Sequence, residues 1–285
     1  IAACGEAVPG YHEVCHLDDC RMADTGEQAD LVGGWHDAGD LRKWTSTMSY
    51  ITLALTEFIE ESPDDLRRLG VDPDLVWRQM ERGAAYLLKM IDPKTGLVWH
   101  SIASDVNSGN ESGTWTDNLP NSGDERGAKR DCAPGTADLH VQTLAALARV
   151  LRGRNPQLAV QMREASLRVW KAVRPLLMNE GGVERLCDSA LQLWKTTGER
   201  EYADLVADGL RALVARQATG ASFDQDRLRG FFVTNGTIEG NDSFHGRGGR
   251  SLYRLMDQVD RLAQAILLWP KHADAGRWKD ALTLA

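Results

Sequence analysis

No apolar run in the 285 residues approaches the roughly 18 needed to span a membrane. Basic residues are in deficit: 33 Lys and Arg stand against 41 Asp and Glu, a formal charge of −8. That excludes the basic face a nucleic-acid binder needs. There is no heptad seam and no short repeat, so a coiled coil and a solenoid of fixed-length helix pairs are both disfavoured. Cysteines number only five, an odd count in a long chain, which argues against a disulfide scaffold. The chain opens with no initiator Met and no signal peptide, and Trp278–Ala285 is helical in pattern with no stop signal. The sequence therefore reads as a fragment cut at one or both ends, and localisation is not legible at its N-terminus. What is present is a 42% hydrophobic, 26% charged composition with nine Trp, enough for a sizeable core and unlike a disordered chain.

Residues 1–40 show no sustained period and read as loops, with a short strand at Asp30–Val32. A helix is expected from Leu41, striped by Trp44, Met48, Ile51, Leu55 and Phe58 at spacings of three and four. Asp72-Pro73-Asp74 is a helix start, followed by the stripe Val76, Met80, Ala84, Leu87 and Ile91. Residues 92–135 form a long break rich in Gly, Asn, Ser, Thr and Asp, with Trp99 and Trp115 interleaved; a loop of this length is functional or a floppy insertion. Further helices are marked by Leu139, Thr143, Ala146 and Val150, and then by Asn155-Pro156 with Met162, Val169, Val173 and Leu176. The next run is Val183, Cys187, Ala190 and Trp194, with Gly198 as a stop, and after it Tyr202, Val206, Gly209 and Leu213. After a polar loop at 218–249, a helix from Ser251 to Trp269 carries Met256, Val259, Ala263 and Ile266, and a last one starts near Ala273. The class is all-α. Antiparallel helices with alternating short and long links suit a helical toroid with its site on the long-loop face.

The densest chemistry lies in Gly33-Gly34-Trp35-His36-Asp37-Ala38-Gly39-Asp40. Glycines tolerate positive φ and close backbone approach, so a tight turn can aim Asp37 and Asp40 into one cleft. Such a pair binds a cation, or supplies a base and a group that positions its water; an ordinary capping turn is the alternative. Cys4, Cys15, His16 and His36 are two sulfurs and two imidazoles, a natural tetrahedral zinc set, although not at zinc-finger spacing. His12 and Cys20 are competing ligands. Asp117, Asn118, Asp124 and Glu125 are hard oxygen donors close together, as calcium requires, or simply a solvated acidic loop. Trp99, His100, Trp115, His245, Arg247 and Arg250 combine ring faces with hydrogen-bond donors suited to sugar. Trp35 reads as a core anchor beneath the turn, and Trp170, Trp194, Trp269 and Trp278 as core packing.

The octapeptide, continued by Leu41-Arg42-Lys43-Trp44 and Met48-Ser49-Tyr50, resembles the signature of glycoside hydrolase family 9, the cellulases and related β-glucanases. Cys15-His16-Leu17-Asp18-Asp19 resembles the upstream segment of members with an N-terminal immunoglobulin-like domain. Cys132-Ala133-Pro134-Gly135-Thr136-Ala137-Asp138 and His272-Ala273-Asp274-Ala275-Gly276-Arg277-Trp278 resemble later toroid segments. The resemblance implies an (α/α)6 toroid of the six-hairpin type, present here in part: a 1–40 zinc and active-site loop segment, then toroid helices over 41–285. It implies inverting hydrolysis of a β-1,4-glycosidic bond in cellulose or a related glucan, Asp40 as general base and Asp37 helping to hold the water. It also implies a structural zinc on Cys4, Cys15, His16 and His36, a secreted or periplasmic enzyme, and in some members structural calcium. The family's catalytic acid is a Glu in an Asn-Glu context near the domain's C-terminal end. Glu180 follows Asn179 but sits mid-chain and does not match, so the acid is expected beyond Ala285 and this segment alone is expected to be inactive. Other toroid enzymes, such as unsaturated-uronide hydrolases and lyases, and a non-catalytic carbohydrate-binding scaffold are the alternative readings; neither nucleic acid nor membrane is expected as a partner.

Overall fold

The computed structural model describes residues 13–22, 25–38, 41–103, 115–129, 133–218, 232–234, 237–238 and 249–285, with backbone alone at 233–234, 237–238 and 249–255. Two compact units divide the chain at residues 176 and 177.

The first unit joins a small sheet to helices. The strands β1 (Arg21–Met22), β2 (Lys43–Trp44), β3 (Ser101–Ala103) and β4 (Gly127–Lys129) lie in the order β1-β4-β3-β2. β1 runs parallel to β4, and β3 is antiparallel to both of its neighbours. This sheet was not legible in the sequence, because two- and three-residue strands carry no alternation long enough to see. The helix expected from Leu41 begins four residues later, since Lys43 and Trp44 pair with Ile102 and Ser101. The expected strand at Asp30–Val32 is absent. Its carbonyls are taken instead by lysines: Leu31 O by Lys43 Nζ at 2.9 Å, and Val32 O by Lys89 Nζ at 2.9 Å.

Helix α1 (Thr45–Glu61) packs against α3 (Pro73–Lys89) and α4 (Pro134–Val150), with the short α2 (Asp65–Arg68) between α1 and α3. Asp72 starts α3 as expected, its carboxylate accepting from Asp74 N–H at 3.0 Å. Met80, Ala84 and Leu87 are buried along α3, as the stripe requires. Gly83 allows its close approach to α1: a Cβ there would lie 2.6 Å from Thr52 Oγ1. α1 is rotated from its expected stripe. It buries Met48 with Thr45, Ser49, Thr52, Leu53, Thr56 and Ile59, while Trp44, Ile51, Leu55 and Phe58 are half-buried. Of its hydroxyls, Thr56 Oγ1 donates to Thr52 O at 2.6 Å and Ser49 Oγ meets His140 Nδ1 at 3.1 Å, whereas Thr52 Oγ1 is buried with no hydrogen-bond partner among the described residues. Helix α5 (Pro156–Gly181) is capped by Asn155 and leads out of this unit. Its stripe holds at Met162, Val169 and Val173, but beyond Pro175 the buried residue is Leu177, and Leu176 is exposed.

The second unit holds α6 (Cys187–Thr197), α7 (Arg200–Ala215), α8 (Gly249–Leu268) and α9 (Ala275–Leu284), with a two-stranded ribbon of β5 (Val233–Thr234) and β6 (Thr237–Ile238). Gly198 ends α6 in the left-handed conformation at φ +73°. α7 buries Tyr202, Val206, Gly209 and Leu213, with Gly209 against the buried Cys187. In α8 the buried face is Gln258, Arg261, Leu262 and Ala265, and Met256 is exposed. Arg261 can face inward because Asp188 meets it at 2.7 Å. Among the described residues no helix is long and apolar enough to cross a membrane.

Candidate functional site

The Gly33–Arg42 turn is held from below. Trp35 is buried beneath it, its backbone N–H on Met48 Sδ at 3.3 Å and its indole N–H donating to Gln79 Oε1 at 3.1 Å. Gly34 adopts φ +72°, and a Cβ there would sit 2.9 Å from the Tyr86 ring. Asp37 is half-buried, and its N–H donates to Arg42 O at 2.8 Å, closing the turn on itself. Leu41 is left-handed at φ +61°, a conformation that is sparsely populated for a branched residue and persists only where surroundings enforce it. Those surroundings are visible. Leu41 O receives His36 Nδ1–H at 2.6 Å and Arg126 Nη1–H at 2.6 Å. Asp40 lies outside the described residues.

His36 points its other nitrogen at sulfur: Nε2 is 3.2 Å from Cys15 Sγ. His16 completes a buried trio, its ring 5.2 Å from that of His36, with the three ligand atoms all within 4.8 Å of one another. Zinc–sulfur and zinc–nitrogen bonds of about 2.3 and 2.0 Å at a tetrahedral angle separate S from N by about 3.5 Å. The observed spacing fits that closely. The His36 Nδ1 bond to a carbonyl fixes the proton on Nδ1 and presents the Nε2 lone pair toward the sulfur as a ligand, the usual outer-shell arrangement of a metal histidine. The trio can therefore hold zinc. Cys4 and His12 lie outside the described residues. Cys20, the competing thiol, is fully buried, and its backbone pairs with Ala29. Burial, and then the neighbouring Asp19 charge, push its thiol up to about 12. That keeps it protonated and a poor ligand.

A buried ion cluster that the sequence reading did not single out stands beside the trio. Arg126 grips Asp19 with two bonds, Nε–Oδ1 at 2.8 Å and Nη2–Oδ2 at 2.6 Å, and Lys43 Nζ meets Asp19 Oδ2 at 2.6 Å. Lys43 also donates to Leu31 O and Gly33 O. Burial alone would raise the Asp19 pKa, but the charges and hydrogen bonds of Lys43 and Arg126 hold it well below the usual carboxylate range. The cluster thus links Gly33, where the turn begins, to Leu41, where it ends. Buried Lys and Arg are a signal only once a carboxylate partner is known, and Asp19 is 107 residues from Arg126.

The candidate sugar contacts are dispersed. Trp99 is buried, its carbonyl bonded to the Thr45 hydroxyl, so it is a packing residue and not a surface platform. His100 is half-buried and meets the edge of Trp44 at 4.9 Å, with Arg42 stacked 4.9 Å above the same indole. Trp115 is exposed and stacks on His16 at 6.1 Å, 14° from parallel. His245, Arg247 and the Arg250 side chain lie outside the described residues. In the acidic loop, Asn118 Oδ1 caps Leu17 N–H at 3.0 Å and Glu125 pairs with Arg21 at 2.8 Å. Asp117 and Asp124 instead approach Asp18.

The family model of glycosyl hydrolase family 9 matches residues 4–238. Among solved structures, a metagenome-derived family 9 endoglucanase is 17% identical, with a TM-score of 0.59 over 99% of this chain and 61% of its own. A Zn-binding triple mutant of the family 9 endoglucanase J30 is 19% identical, with a TM-score of 0.56 over 99% of this chain and 64% of its own. The cellulase Cel9M of C. cellulolyticum, in complex with cellobiose, is 15% identical, with a TM-score of 0.62 over 97% and 58%. The chain thus spans about three fifths of the length of these structures. At such identities the likeness shows the fold, and that fold is part of an (α/α)6 toroid, as the sequence led us to expect. A search among curated proteins gave no match.

Proposed function

The chain belongs to glycosyl hydrolase family 9, and on that premise we propose that it is part of an enzyme hydrolysing β-1,4-glycosidic bonds in cellulose or a related β-glucan, with inversion. In this reading the Asp40 carboxylate takes a proton from a water that attacks the anomeric carbon. Asp37 helps to hold that water. A separate carboxylic acid protonates the departing oxygen from the other face, roughly 6.5–9.5 Å from the base. No residue of this chain is assigned to that acid. The observation that carries the proposal is the anchoring of the turn: His36, immediately before Asp37, is buried and bonded at both ring nitrogens, and the turn's return residue Leu41 is bonded by His36 and Arg126. A general base has to be held to fractions of an ångström, and rigid support of this kind is what such positioning requires.

Zinc on Cys15, His16 and His36, with Cys4 as the fourth ligand, would be a closed, structural site with no open position for substrate. Its contribution is to fasten residues 13–38 and to orient His36; the proton transfers belong to the carboxylates. His100 and Trp115 of the described residues, and His245, Arg247 and Arg250 from the sequence, are the proposed sugar contacts. A polymeric glucan cannot enter a cell, which favours action outside it, and the Cys15–Asp19 segment favours an immunoglobulin-like domain upstream.

The test uses the full-length gene product with cellopentaose and chitosan oligomers, followed by proton NMR. The α-anomer should appear first from a β-linked glucan. Asp40→Ala should lower turnover by at least about 1,000-fold with its circular-dichroism melt unchanged. Cleavage of neither panel, or a β-anomer formed first, would overturn the reading, and near-wild-type turnover of Asp40→Ala would remove Asp40 as the base.

A further inference from the structure

We propose that the cleft between α3 and the Gly33–Gly34 backbone binds the oxyanion of a small anionic sugar, either a sugar acid or a sugar phosphate. The cleft has a volume of about 460 Å³ and is lined by Gly33 and Gly34 on one side and by Arg78, Arg82 and Lys89 of α3 on the other. Its walls hold more hydrogen-bond donors than acceptors. On the segment side, three successive carbonyls are already taken. Lys43 Nζ donates to Leu31 O at 2.9 Å and to Gly33 O at 3.1 Å, and Lys89 Nζ donates to Val32 O at 2.9 Å. The N–H groups of Gly33 and Gly34 have no acceptor among the described residues. On the helix side, the Arg78 guanidinium has no partner among the described residues. Lys89 carries three N–H donors and commits two of them, to Val32 O and to Asp30 Oδ1 at 2.8 Å. Gln79 Oε1 accepts the Trp35 indole N–H, which leaves its amide group as a donor toward the cleft it lines. Glu81 is the one carboxylate lining the cleft among the described residues, and Arg154 Nε draws on it at 3.6 Å.

A donor surplus of this kind selects a ligand rich in acceptors and negatively charged. N–H groups left without acceptors cost free energy, and one oxyanion satisfies several of them together. Arg78 and Arg82 stand one helical turn apart on the same face of α3, so their planar forks can meet one carboxylate or phosphate. The chain as a whole carries a charge of −8, so the attraction for an anion has to be local, and these side chains make it so. Size decides between a bare ion and a larger molecule. The volume falls in the range of about 300–1,000 Å³ typical of small-molecule sites, more than a free phosphate fills. Glu81 accepts hydroxyl groups, which a sugar has and a bare ion lacks. The site uses neither the metal-ligand trio nor the Asp37 and Asp40 carboxylates, so the inference stands apart from the hydrolase reading and survives its failure.

The full-length protein is titrated by calorimetry at low ionic strength with glucuronate, glucose 6-phosphate, inorganic phosphate and glucose, and its hydrogen–deuterium exchange is followed at saturation. One equivalent of glucuronate or of glucose 6-phosphate should bind and slow exchange in residues 32–36 and 78–89. The tighter of the two names the charged group as carboxylate or phosphate. Glucose should leave exchange in both segments unchanged. Arg78 is exposed, so Arg78→Gln should keep the ligand-free melting temperature of the wild type while weakening the anionic sugar at least about 10-fold. Arg78→Lys, which keeps the charge and loses the fork, should fall between them. The proposal is overturned if neither anionic sugar binds, if inorganic phosphate binds as tightly as both, if exchange at 32–36 does not respond, or if Arg78→Gln binds like the wild type.

Discussion

His140 shows how one residue's surroundings set a measurable property. It is fully buried between helices, its Nε2–H donating to Leu87 O and its Nδ1 accepting from Ser49 Oγ, both at 3.1 Å. Burial lowers its pKa to about 4, outweighing the carbonyl of Leu87, which favours the charged form. In the unfolded chain a histidine titrates near 6.5. Between those values the unfolded state takes up a proton that the folded state refuses. Stability from this residue is therefore complete above about pH 6.5 and falls as pH drops toward 4, by up to about 1.4 kcal/mol per pH unit. His140→Gln should flatten that part of the profile relative to wild type in urea unfolding between about pH 7 and 5. Identical slopes for the two proteins would show that His140 does not titrate this way.

At the scale of elements, the turn at Gly33–Arg42 and the helices teach different lessons. Gly34→Ala would place a methyl 2.9 Å from the Tyr86 ring at a φ of +72°. The expected loss is about 1–3 kcal/mol, read as a lowered melting temperature, and Tyr86→Leu in the same chain should return part of it. That turn was legible because adjacent glycines, histidine and aspartates form a local pattern. Helices α3 and α7 were legible because each has one apolar face. α1 and α8 were legible as helices and not in their rotation. The buried side of α1 carries Thr52 beside Ser49 and Thr56, and the hydroxyls of the last two bond within the core; that of α8 carries Arg261, neutralised by Asp188. A stripe of hydrophobicity cannot register polar groups whose partners come from elsewhere in the chain. The same reason hid the Asp19–Arg126–Lys43 cluster, and the sheet was hidden by the shortness of its strands, whereas Cys15, His16 and His36 announced themselves by donor type.

For the molecule as a whole, the division into two units separates the metal-ligand trio from the helices α6 to α9. Zinc removal should act on one and spare the other. With a chelator that strips zinc, hydrogen–deuterium exchange should rise in residues 13–38 and 115–129, by at least about 10-fold in rate where protection is lost, and stay unchanged in α7. A uniform rise throughout the chain would mean that the metal supports the entire fold, and no rise would remove it as a structural element of residues 13–38.

The contacts of residues 13–22 with the 115–129 segment also set an order in time. Thr116 reaches Asp18 across 98 residues, Asn118 reaches Leu17 across 101, Glu125 reaches Arg21 across 104, and Arg126 reaches Asp19 across 107. None of these can form until the later segment has been synthesised. At 5–20 residues per second, the segment that holds Asp19 waits roughly 5 to 20 s for its arginine after leaving the ribosome. Helices α1 and α3, built from local bonds, have far less delay. The earliest-made part of the site is thus the last to be locked, and for that interval the nascent chain exposes Cys15 and Cys20 as unprotected thiols.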